Sequence, residues 1–411
     1  MSHVISPHES APLDDPGFWS GNWRAGFGGE DPKLANPRLA RRSEAVWEPF
    51  ALGPVDADTL GDWITAALTP ESWWAVLGSR PVDARRRSRL LAKLNLEKLR
   101  PFTENRFGVT LRRTNLRALP TTLRGHKQND ENGFDRLQHT ALEPLTPLAL
   151  LHESADGTWR FVQAPDYRGW VKGSDVARTD APGETARLLA RPGPVLLSPR
   201  AELDTSCGAT PLQMGSRLPG LRDRLLPYPA RDERGLLTWT RARLADPAEL
   251  APAYPPLNAR FFFARALAPL GVPYGWGGLN LEAPALDCSR FVQDVFRVFG
   301  YRLPRDAAAQ CRATRPFLQF APGEPHESRA RKLAGLEQGP ALLCMPGHVM
   351  IYLGRVEGCH HAVHALWSYR KRDNGSERVV PAGRVVVTSL DLGRGTSSGS
   401  LLERLASVNL L

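Results

Sequence analysis

Residues 286–299 read LDCSRFVQDVFRVF, and this stretch decides the fold of the C-terminal part of the chain. Its apolar residues recur at the spacing of an amphipathic helix: Phe291, Val292, Val295, Phe296 and Phe299. Asp287 is a good N-cap, and Gly300 is a typical helix terminator. The sequence therefore predicts a helix over 287–299 with Cys288 in its first turn.

Cys288 is a candidate nucleophile. Free N–H groups and the helix dipole stabilise a thiolate at a helix start, so we expect a lowered thiol pKa. A cysteine with such a pKa is suited to nucleophilic catalysis. The alternative is a buried structural cysteine, the commonest fate of a free cysteine, but the polar neighbours of Cys288 argue against it.

A thiol nucleophile needs a base, and His348 is the candidate. It opens a predicted strand over 348–354, directly after a Pro-Gly turn. His360, His361 and His364 are candidates for a third group that orients the base. Strand alternation places His364 on the same face as the apolar residues around it, which favours a buried role. The cluster Cys359–His364 is also compatible with a metal, but no second cluster supplies the remaining ligands, so we predict no metal site.

Further elements are predicted on both sides of this region. Residues 57–100 favour helix, with Asp56 and Asp58 as caps and Pro101 as the end. A Pro-rich linker is expected at 247–256 and a helix at 258–270. Candidate strands are Val109–Leu111, Leu148–Leu151, Trp159–Gln163, Ala186–Leu189, Val195–Leu197, Gly235–Thr240, Ala362–Trp367 and Arg384–Leu390. Asp156-Gly157 is a hairpin signal, and Trp159, Phe161 and Trp170 are core candidates.

Composition narrows the class of protein. A chain of 411 residues with 42% hydrophobic and 23% charged residues is expected to fold into two to four globular domains. No apolar run approaches the roughly 18 residues of a transmembrane helix. The N-terminus has neither a basic region nor an apolar core, so either the chain is not secreted or a leader is missing from it. Five cysteines are too few and too irregular for a disulfide framework, and at least one must stay unpaired.

The net charge of +10 raises the question whether the protein binds nucleic acid. The basic residues are scattered, however, and the densest run, at 85–87, adjoins no helix-turn-helix, zinc finger or aromatic RNA-binding motif. We interpret that run as the solvated face of a helix and predict no nucleic-acid partner. A basic surface would also suit an acidic polymer such as a bacterial cell wall.

Residues 271–364 resemble the NlpC/P60 cysteine peptidases of the papain-like clan. The resemblance is carried by five motifs in family order: PYGWGG at 273–278, DCSxFVQ at 287–293, GxxLPRDxxxQ at 300–310, PGHVxIYLG at 346–354 and VHA at 363–365. It implies that Cys288 attacks, His348 is the base and His364 orients it. Cys344 and Cys359 flank the base strand, and we interpret both as buried filler, with a reactive thiol as the alternative.

The resemblance also implies substrate contacts. Tyr274 resembles the tyrosine at the oxyanion site, and Asp287 and Ser289 resemble residues that bind the free amine and D-Glu carboxylate. Two positions depart from the family pattern. Arg290 replaces the usual Gly, so it either binds a carboxylate or points to solvent, and Ala307 replaces a frequent Ser. Asp166 or Tyr167 would reach the substrate from the first barrel, although a turn aromatic is the alternative for Tyr167.

The sequence therefore predicts an α+β protein with four parts: an extended and helical segment at 1–104, SH3-like barrels at 105–182 and 183–250, and a papain-like NlpC/P60 domain at 257–411. In multi-domain relatives the first barrel narrows the cleft and selects stems with free N-terminal L-Ala. The implied reaction is cofactor-free hydrolysis of the D-γ-glutamyl bond to diaminopimelate or Lys in peptidoglycan peptides.

Two alternatives stay open, an amidase or acyltransferase with the same triad and a wall-binding protein whose barrels do the binding. We expect a monomer, located in the envelope or periplasm by resemblance, with cytoplasmic recycling as the alternative.

Overall fold

The computed structural model describes residues 4–5, 13–21, 23, 27–43, 48–68, 75–100, 106–127, 133–278 and 285–411. These residues combine helices with antiparallel sheets, the larger of which have seven, seven and four strands. The predicted α+β class is confirmed. None of the described helices is both long enough and apolar enough to cross a membrane.

The N-terminal segment is shared between two hydrophobic cores. Its α-helices are Pro16–Gly21, Pro32–Ser43, Ala57–Thr65 and Ala84–Lys93, with 3-10 turns at Pro49–Ala51, Ala66–Leu68 and Leu96–Lys98. Trp19 and Leu39 are buried in the core of the C-terminal domain. Leu60 and Leu94 are buried in a separate core, that of the sheet that follows this segment in the chain. Asp56 caps its helix as predicted, and Thr59 N–H donates to it at 2.8 Å. The predicted end at Pro101 lies outside the described residues.

We call the next unit the first sheet. Its strands, in spatial order, are Val176–Thr179, Phe107–Thr110, Pro147–Glu153, Trp159–Gln163, Arg168–Lys172, Thr114–Arg117 and Gln138–Leu142. The predicted core residues Trp159, Phe161 and Trp170 are all buried. The predicted hairpin is also present. Gly157 supplies the positive φ of 68° that its turn needs, and Asp156 accepts from the Thr158 N–H at 3.1 Å. A small sheet of Val76–Leu77, Arg80–Pro81 and Gly125–His126 lies beside it.

The second sheet follows in the chain, and one of the strands predicted for this region was wrong. Its strands are Gly208–Gln213, Arg200–Thr205, Leu237–Leu244 and Leu225–Arg231. The predicted strand Ala186–Leu189 is instead the end of the helix Pro182–Leu189, because Pro182 is pre-organised for a first helical turn. Leu250–Ala251, in the predicted linker, pairs with Val195–Leu196. The SH3-like assignment of this sheet stays a prediction.

The C-terminal domain is built around the third sheet. Its strands, in spatial order, are Val4–Ile5, Ser376–Ser389, Cys359–Asp373, His348–Val356, Ala341–Met345, Ser407–Leu410 and Arg315–Gln319. Its helices are Ala259–Leu267, Cys288–Arg297, Ala307–Ala313, His326–Ala334 and Leu401–Arg404. The elements predicted around 258–270, 287–299, 348–354, 362–367 and 384–390 are all found. The helix Cys288–Arg297, here called the nucleophile helix, ends before Gly300, whose φ is 85°.

Two of the five cysteines are paired, which corrects the expectation for Cys344. Cys344 forms a disulfide with Cys311, and their Cα atoms lie 6.0 Å apart. The bond ties the helix Ala307–Ala313 to a central strand of the third sheet. Cys207, Cys288 and Cys359 are free, so the prediction of an unpaired cysteine is confirmed.

Candidate active site

Cys288 lies where the nucleophile helix meets the start of the strand His348–Val356. It is the first residue of the nucleophile helix and is 7% exposed. Asp287 caps this helix by accepting from the Arg290 N–H at 2.8 Å. The backbone N–H of Val349, which directly follows His348, lies close enough to the Cys288 thiol to lower its pKa. The fold therefore brings the candidate nucleophile to the start of the strand that carries the candidate base.

The predicted direction of the Cys288 pKa was wrong. Burial, reinforced by the negative charge of Asp287, raises the pKa of the Cys288 thiol to about 12. The N–H groups of Val349 and Ser289 lower the pKa, but by less than burial raises it. The thiol is therefore protonated at neutral pH in the free protein, and a neighbouring group must remove its proton.

His348, His364 and Thr388 form one hydrogen-bonded chain across three adjacent strands. His348 Nε2 lies 2.7 Å from His364 Nδ1, and His364 Nε2 lies 3.0 Å from Thr388 Oγ1. We assign the protons so that each Nε2–H donates along the chain, which leaves Nδ1 of His348 as an acceptor. Burial, with Arg404 second, holds the pKa of His348 at about 4, and burial keeps the pKa of His364 well below its usual value. Both imidazoles are therefore neutral at pH 7.

The other histidines of the cluster lie elsewhere. His360 Nδ1 lies 2.7 Å from the Tyr352 hydroxyl, and its Nε2 donates to the Ala330 carbonyl at 3.0 Å. His361 Nδ1 donates to the Cys359 carbonyl at 3.1 Å. Of the three candidates, His364 is the one whose ring is hydrogen-bonded to His348. Within the described residues, no group of three or more His, Cys, Asp or Glu side chains is arranged to hold a metal.

Asp287 and Ser289, the predicted substrate contacts, are held by Arg305. Arg305 donates to both oxygens of Asp287, at 2.6 and 3.1 Å, and to Ser289 Oγ at 2.9 Å. Burial by itself raises the pKa of Asp287, but Arg305 and the N–H groups that donate to the carboxylate hold it below its usual value. Asp287 is therefore ionised, and a substrate amine that binds it would compete with Arg305.

The expectation that Arg290 points to solvent was wrong, because the residue is only 4% exposed and its guanidinium binds protein groups. It donates to Asp294 at 2.7 Å, to Glu143 at 3.1 Å and to the Ala141 carbonyl at 3.2 Å. Ala141 belongs to the strand Gln138–Leu142 of the first sheet, and Glu143 belongs to the turn after that strand. Arg290 thus links the nucleophile helix to the first sheet, and its role in binding a substrate carboxylate stays a prediction.

The strand Gln138–Leu142 of the first sheet packs against the site. Gln138 Nε2 donates to the Gly277 carbonyl at 3.1 Å, and the Gly277 N–H donates to Asp287 at 2.9 Å. Arg305 Nε donates to Thr140 Oγ1 at 2.6 Å. A Cβ on Gly277 would lie 2.6 Å from Gln138, so only glycine permits this approach. The first sheet therefore helps to fix the cap of the nucleophile helix.

An aromatic cluster lies beside the thiol. Phe134, which precedes the strand Gln138–Leu142 of the first sheet, stacks on Trp276 with ring centroids 4.7 Å apart and on Tyr274 with ring centroids 5.9 Å apart. Trp367 contacts both Phe134 and Tyr274 and is 36% exposed. Burial, with Cys288 second, raises the pKa of Tyr274, so its hydroxyl stays protonated and can donate.

Asp166 and Tyr167 also lie at this junction. Gln293 of the nucleophile helix donates to Asp166 at 2.5 Å. The Tyr167 ring lies 4.9 Å from the ring of His139. Burial raises the pKa of Tyr167, and the charge of Asp306 acts in the same direction, so the phenol stays neutral beside the C-terminal domain.

Sequence reasoning missed the roles of Arg305, Glu143 and Thr388. Arg305 is part of a motif quoted above, so its position was visible but its partner was not. Glu143 and Thr388 are distant in sequence from the residues they serve. Ala307 opens the helix Ala307–Ala313 and has no hydroxyl to offer a ligand.

Two domains of the chain match known families. Residues 271–377 match the NlpC/P60 family, and residues 124–172 match an SH3 domain of the SH3b1 type. A gamma-D-glutamyl-L-lysine dipeptidyl-peptidase of Bacillus subtilis (strain 168) is 46% identical over 44 residues, which are 11% of this chain and 14% of that relative. The matched stretch is thus about one seventh of the relative's length.

A solved NlpC/P60 endopeptidase from Photobacterium damselae subsp. piscicida has a similar fold. The two structures superimpose with a TM-score of 0.74 at 17% identity, over 100% of this chain and 98% of that one. At this identity the likeness concerns the fold alone. It covers all of the units described above, including the N-terminal segment.

Proposed function

The chain carries an NlpC/P60 domain beside an SH3b1-type SH3 domain, and from this premise we propose that it is a cysteine peptidase of the peptidoglycan hydrolases. The observation that carries the proposal is the hydrogen-bonded chain of His348, His364 and Thr388, which begins one residue before Val349, whose N–H faces the buried thiol of Cys288. A neutral imidazole with a free Nδ1, next to a protonated thiol, is the pairing that general-base activation requires.

The proposed reaction has two steps. Cys288 Sγ attacks the substrate carbonyl carbon while its proton passes to His348, which then protonates the leaving amine, and a thioester forms. Water then attacks the thioester, His348 accepts a proton from it, and the returning proton restores the thiol as the acid product leaves. His364 holds the His348 ring and stabilises the imidazolium. The Tyr274 hydroxyl is our candidate donor to the developing oxyanion.

We propose the bond between D-γ-glutamate and the diamino acid as the scissile bond. The stretch that resembles the Bacillus subtilis enzyme supports this assignment. The first sheet, packed against the site through Thr140 and Gln138, leaves its residues Asp166 and Tyr167 as candidate contacts for a free N-terminal L-Ala. Ser289 and Asp287 remain candidates for the D-Glu carboxylate and the amine. Peptidoglycan or its released peptides are the proposed substrates.

We also propose an envelope location. Disulfides persist in oxidising compartments and are rare in the cytosol. The bond between Cys311 and Cys344 supports a protein that works outside the cytosol.

The test is mass spectrometry of L-Ala-γ-D-Glu-diaminopimelate incubated with the wild type and with Cys288→Ala. Release of L-Ala-D-Glu by the wild type alone is expected. Release by both proteins would show that Cys288 is not the nucleophile. Release by neither would exclude this bond and favour another acyl substrate for the same residues. The same peptide acetylated at L-Ala should react at least 10-fold more slowly, and equal rates would contradict the free-amine preference.

A further inference from the structure

A groove lies between the N-terminal segment and the first two sheets. It consists of two adjoining cavities of about 530 and 460 Å³, which share Arg160, Gly173 and Arg231 in their walls. The described residues that line them come from 93–178 and 231–235, and none comes from the C-terminal domain. The groove is therefore built from different residues than the site around Cys288.

The groove gathers positive charge from distant parts of the chain. Lys93 and Lys172 line the first cavity together with the two shared arginines. The second cavity adds Lys98, Arg100, Arg106, Arg178 and Arg234. Three of these cations have acidic partners: Arg160 pairs with Glu153, the one acid among the described lining residues, at 2.8 Å, Lys93 pairs with Asp156 at 3.3 Å, and Arg178 pairs with Asp180 at 3.4 Å. These pairs offset part of the positive charge, and the cations of the groove still outnumber the acids that pair with them.

We propose that this groove is a second binding site for an anionic polymer, namely the carboxylate-bearing stem peptides of peptidoglycan. The choice of polymer rests on the proposed function, whereas the anionic class rests on the nine cations of the groove. Six of these are arginines, whose planar guanidinium suits bidentate binding of carboxylates. The fold thus brings together nine of the 53 basic residues that lie scattered in the sequence.

The groove is poorly suited to single-stranded nucleic acid. Such sites combine basic residues with aromatic rings on which bases stack. The aromatic side chains among the described lining residues are His152 and Trp159, and Trp159 is only 6% exposed.

A second site on the same chain would act by raising the local substrate concentration. A polymer held in the groove offers further stems to Cys288 without a new diffusional encounter. Small peptides cannot span both sites, so the groove should affect the KM for intact wall and leave the turnover of a tripeptide unchanged.

The test uses the triple variant Lys98→Glu, Lys172→Glu, Arg234→Glu, three exposed cations of the groove, in a Cys288→Ala background that prevents cleavage. Binding is measured by co-sedimentation with acid-stripped sacculi, free of phosphate polymers, at low and at physiological salt. We expect at least a 5-fold loss of binding and a shallower salt dependence. The matched control reverses three exposed cations of the C-terminal domain, Arg312, Arg315 and Arg331, and should bind as the parent does.

Several outcomes would contradict the proposal that the groove binds stem peptides. Unchanged binding by the groove variant would do so, and so would an equal loss in the matched control. Binding only to sacculi that keep their phosphate polymers would replace the carboxylate ligand by phosphate. If the groove bound a 20-nucleotide single strand more tightly than sacculi, nucleic acid would replace peptidoglycan as its ligand. In the active background, both triple variants should cleave the tripeptide at the wild-type rate. A wild type that binds sacculi but leaves the tripeptide intact would contradict the proposed bond and not the groove.

Discussion

His364 and Thr388 lie side by side on neighbouring strands, fully buried, with His364 Nε2 3.0 Å from Thr388 Oγ1. Because His364 uses its other nitrogen for His348, Thr388 decides which tautomer His364 adopts. In the proposed mechanism Thr388 is thus a positioning residue, separated from the thiol by His348 and His364.

Replacing Thr388 by Val removes this acceptor at nearly constant volume. We expect kcat to fall about 10-fold with KM unchanged, because an unsatisfied buried N–H costs about 1–3 kcal/mol and loosens the His348 ring. Thr388→Ser keeps the hydroxyl and should restore most of the activity. Equal losses in Thr388→Val and Thr388→Ser would point to packing instead of the hydrogen bond.

The protonation state of Cys288 can be measured by alkylation. With a thiol pKa of about 12, the thiolate fraction rises tenfold per pH unit throughout the accessible range. The rate of iodoacetamide labelling, measured in a Cys207→Ser, Cys359→Ser background, should therefore rise about tenfold per unit between pH 7 and 9. A plateau beginning near pH 6 would indicate a preformed thiolate. The same background with Cys288→Ser is the blank.

Stability should fall as the solution becomes acidic. Burial lowers the pKa of His139, His348 and His360 to about 4, against about 6.5 in the unfolded chain. Between these values the unfolded state binds more protons, so the stability present above pH 6.5 is lost as the pH falls towards 4. Each such histidine contributes up to about 1.4 kcal/mol per pH unit in this window.

Urea midpoints measured at pH 7.5 and 5.0 check this expectation. The His348→Gln variant, which lacks one titrating group, should show a smaller difference between the two midpoints. Midpoints of the wild type that agree at both pH values would contradict the neutral burial of these histidines.

The sequence predicted what local periodicity and motifs determine. The nucleophile helix, its Asp287 cap, the strand of His348 and the hairpin at Asp156-Gly157 all lie within about a dozen residues of their signals. The helix Pro182–Leu189 was mistaken for a strand because its apolar residues do not separate the two periods over so short a run.

What could not be predicted depends on contacts between distant segments. Glu143 meets Arg290 across 147 residues, and Thr388 meets His364 only through strand pairing. The pKa direction of Cys288 failed for the same reason. The dipole of a helix start is visible in sequence, whereas the burial that outweighs it is a property of the whole fold.

The disulfide between Cys311 and Cys344 predicts how many cysteine thiols react before and after reduction. Under denaturing, non-reducing conditions three of the five cysteines should react with a thiol reagent, and all five after reduction. Cys344→Ser should cost about 2–4 kcal/mol of unfolding free energy under oxidising conditions. Cys207→Ser, at an exposed turn, is the matched control and should cost almost nothing. Five reactive thiols before reduction would contradict the bond.

Arg290 predicts the strength of the junction between the nucleophile helix and the first sheet. Arg290→Met leaves the carboxylates of Asp294 and Glu143 without this buried partner, so we expect a loss of about 3–5 kcal/mol of unfolding free energy. Arg290→Lys keeps the charge but cannot donate in all the directions used, so its loss should be intermediate. Arg302→Met, which breaks the exposed pair with Glu48, should cost at most about 1 kcal/mol. Because this junction also fixes the helix that carries Cys288, tripeptide turnover should fall in Arg290→Met and persist in Arg302→Met. If Arg290→Met were as stable and active as Arg302→Met, the first sheet would be an independent module and not part of the active site.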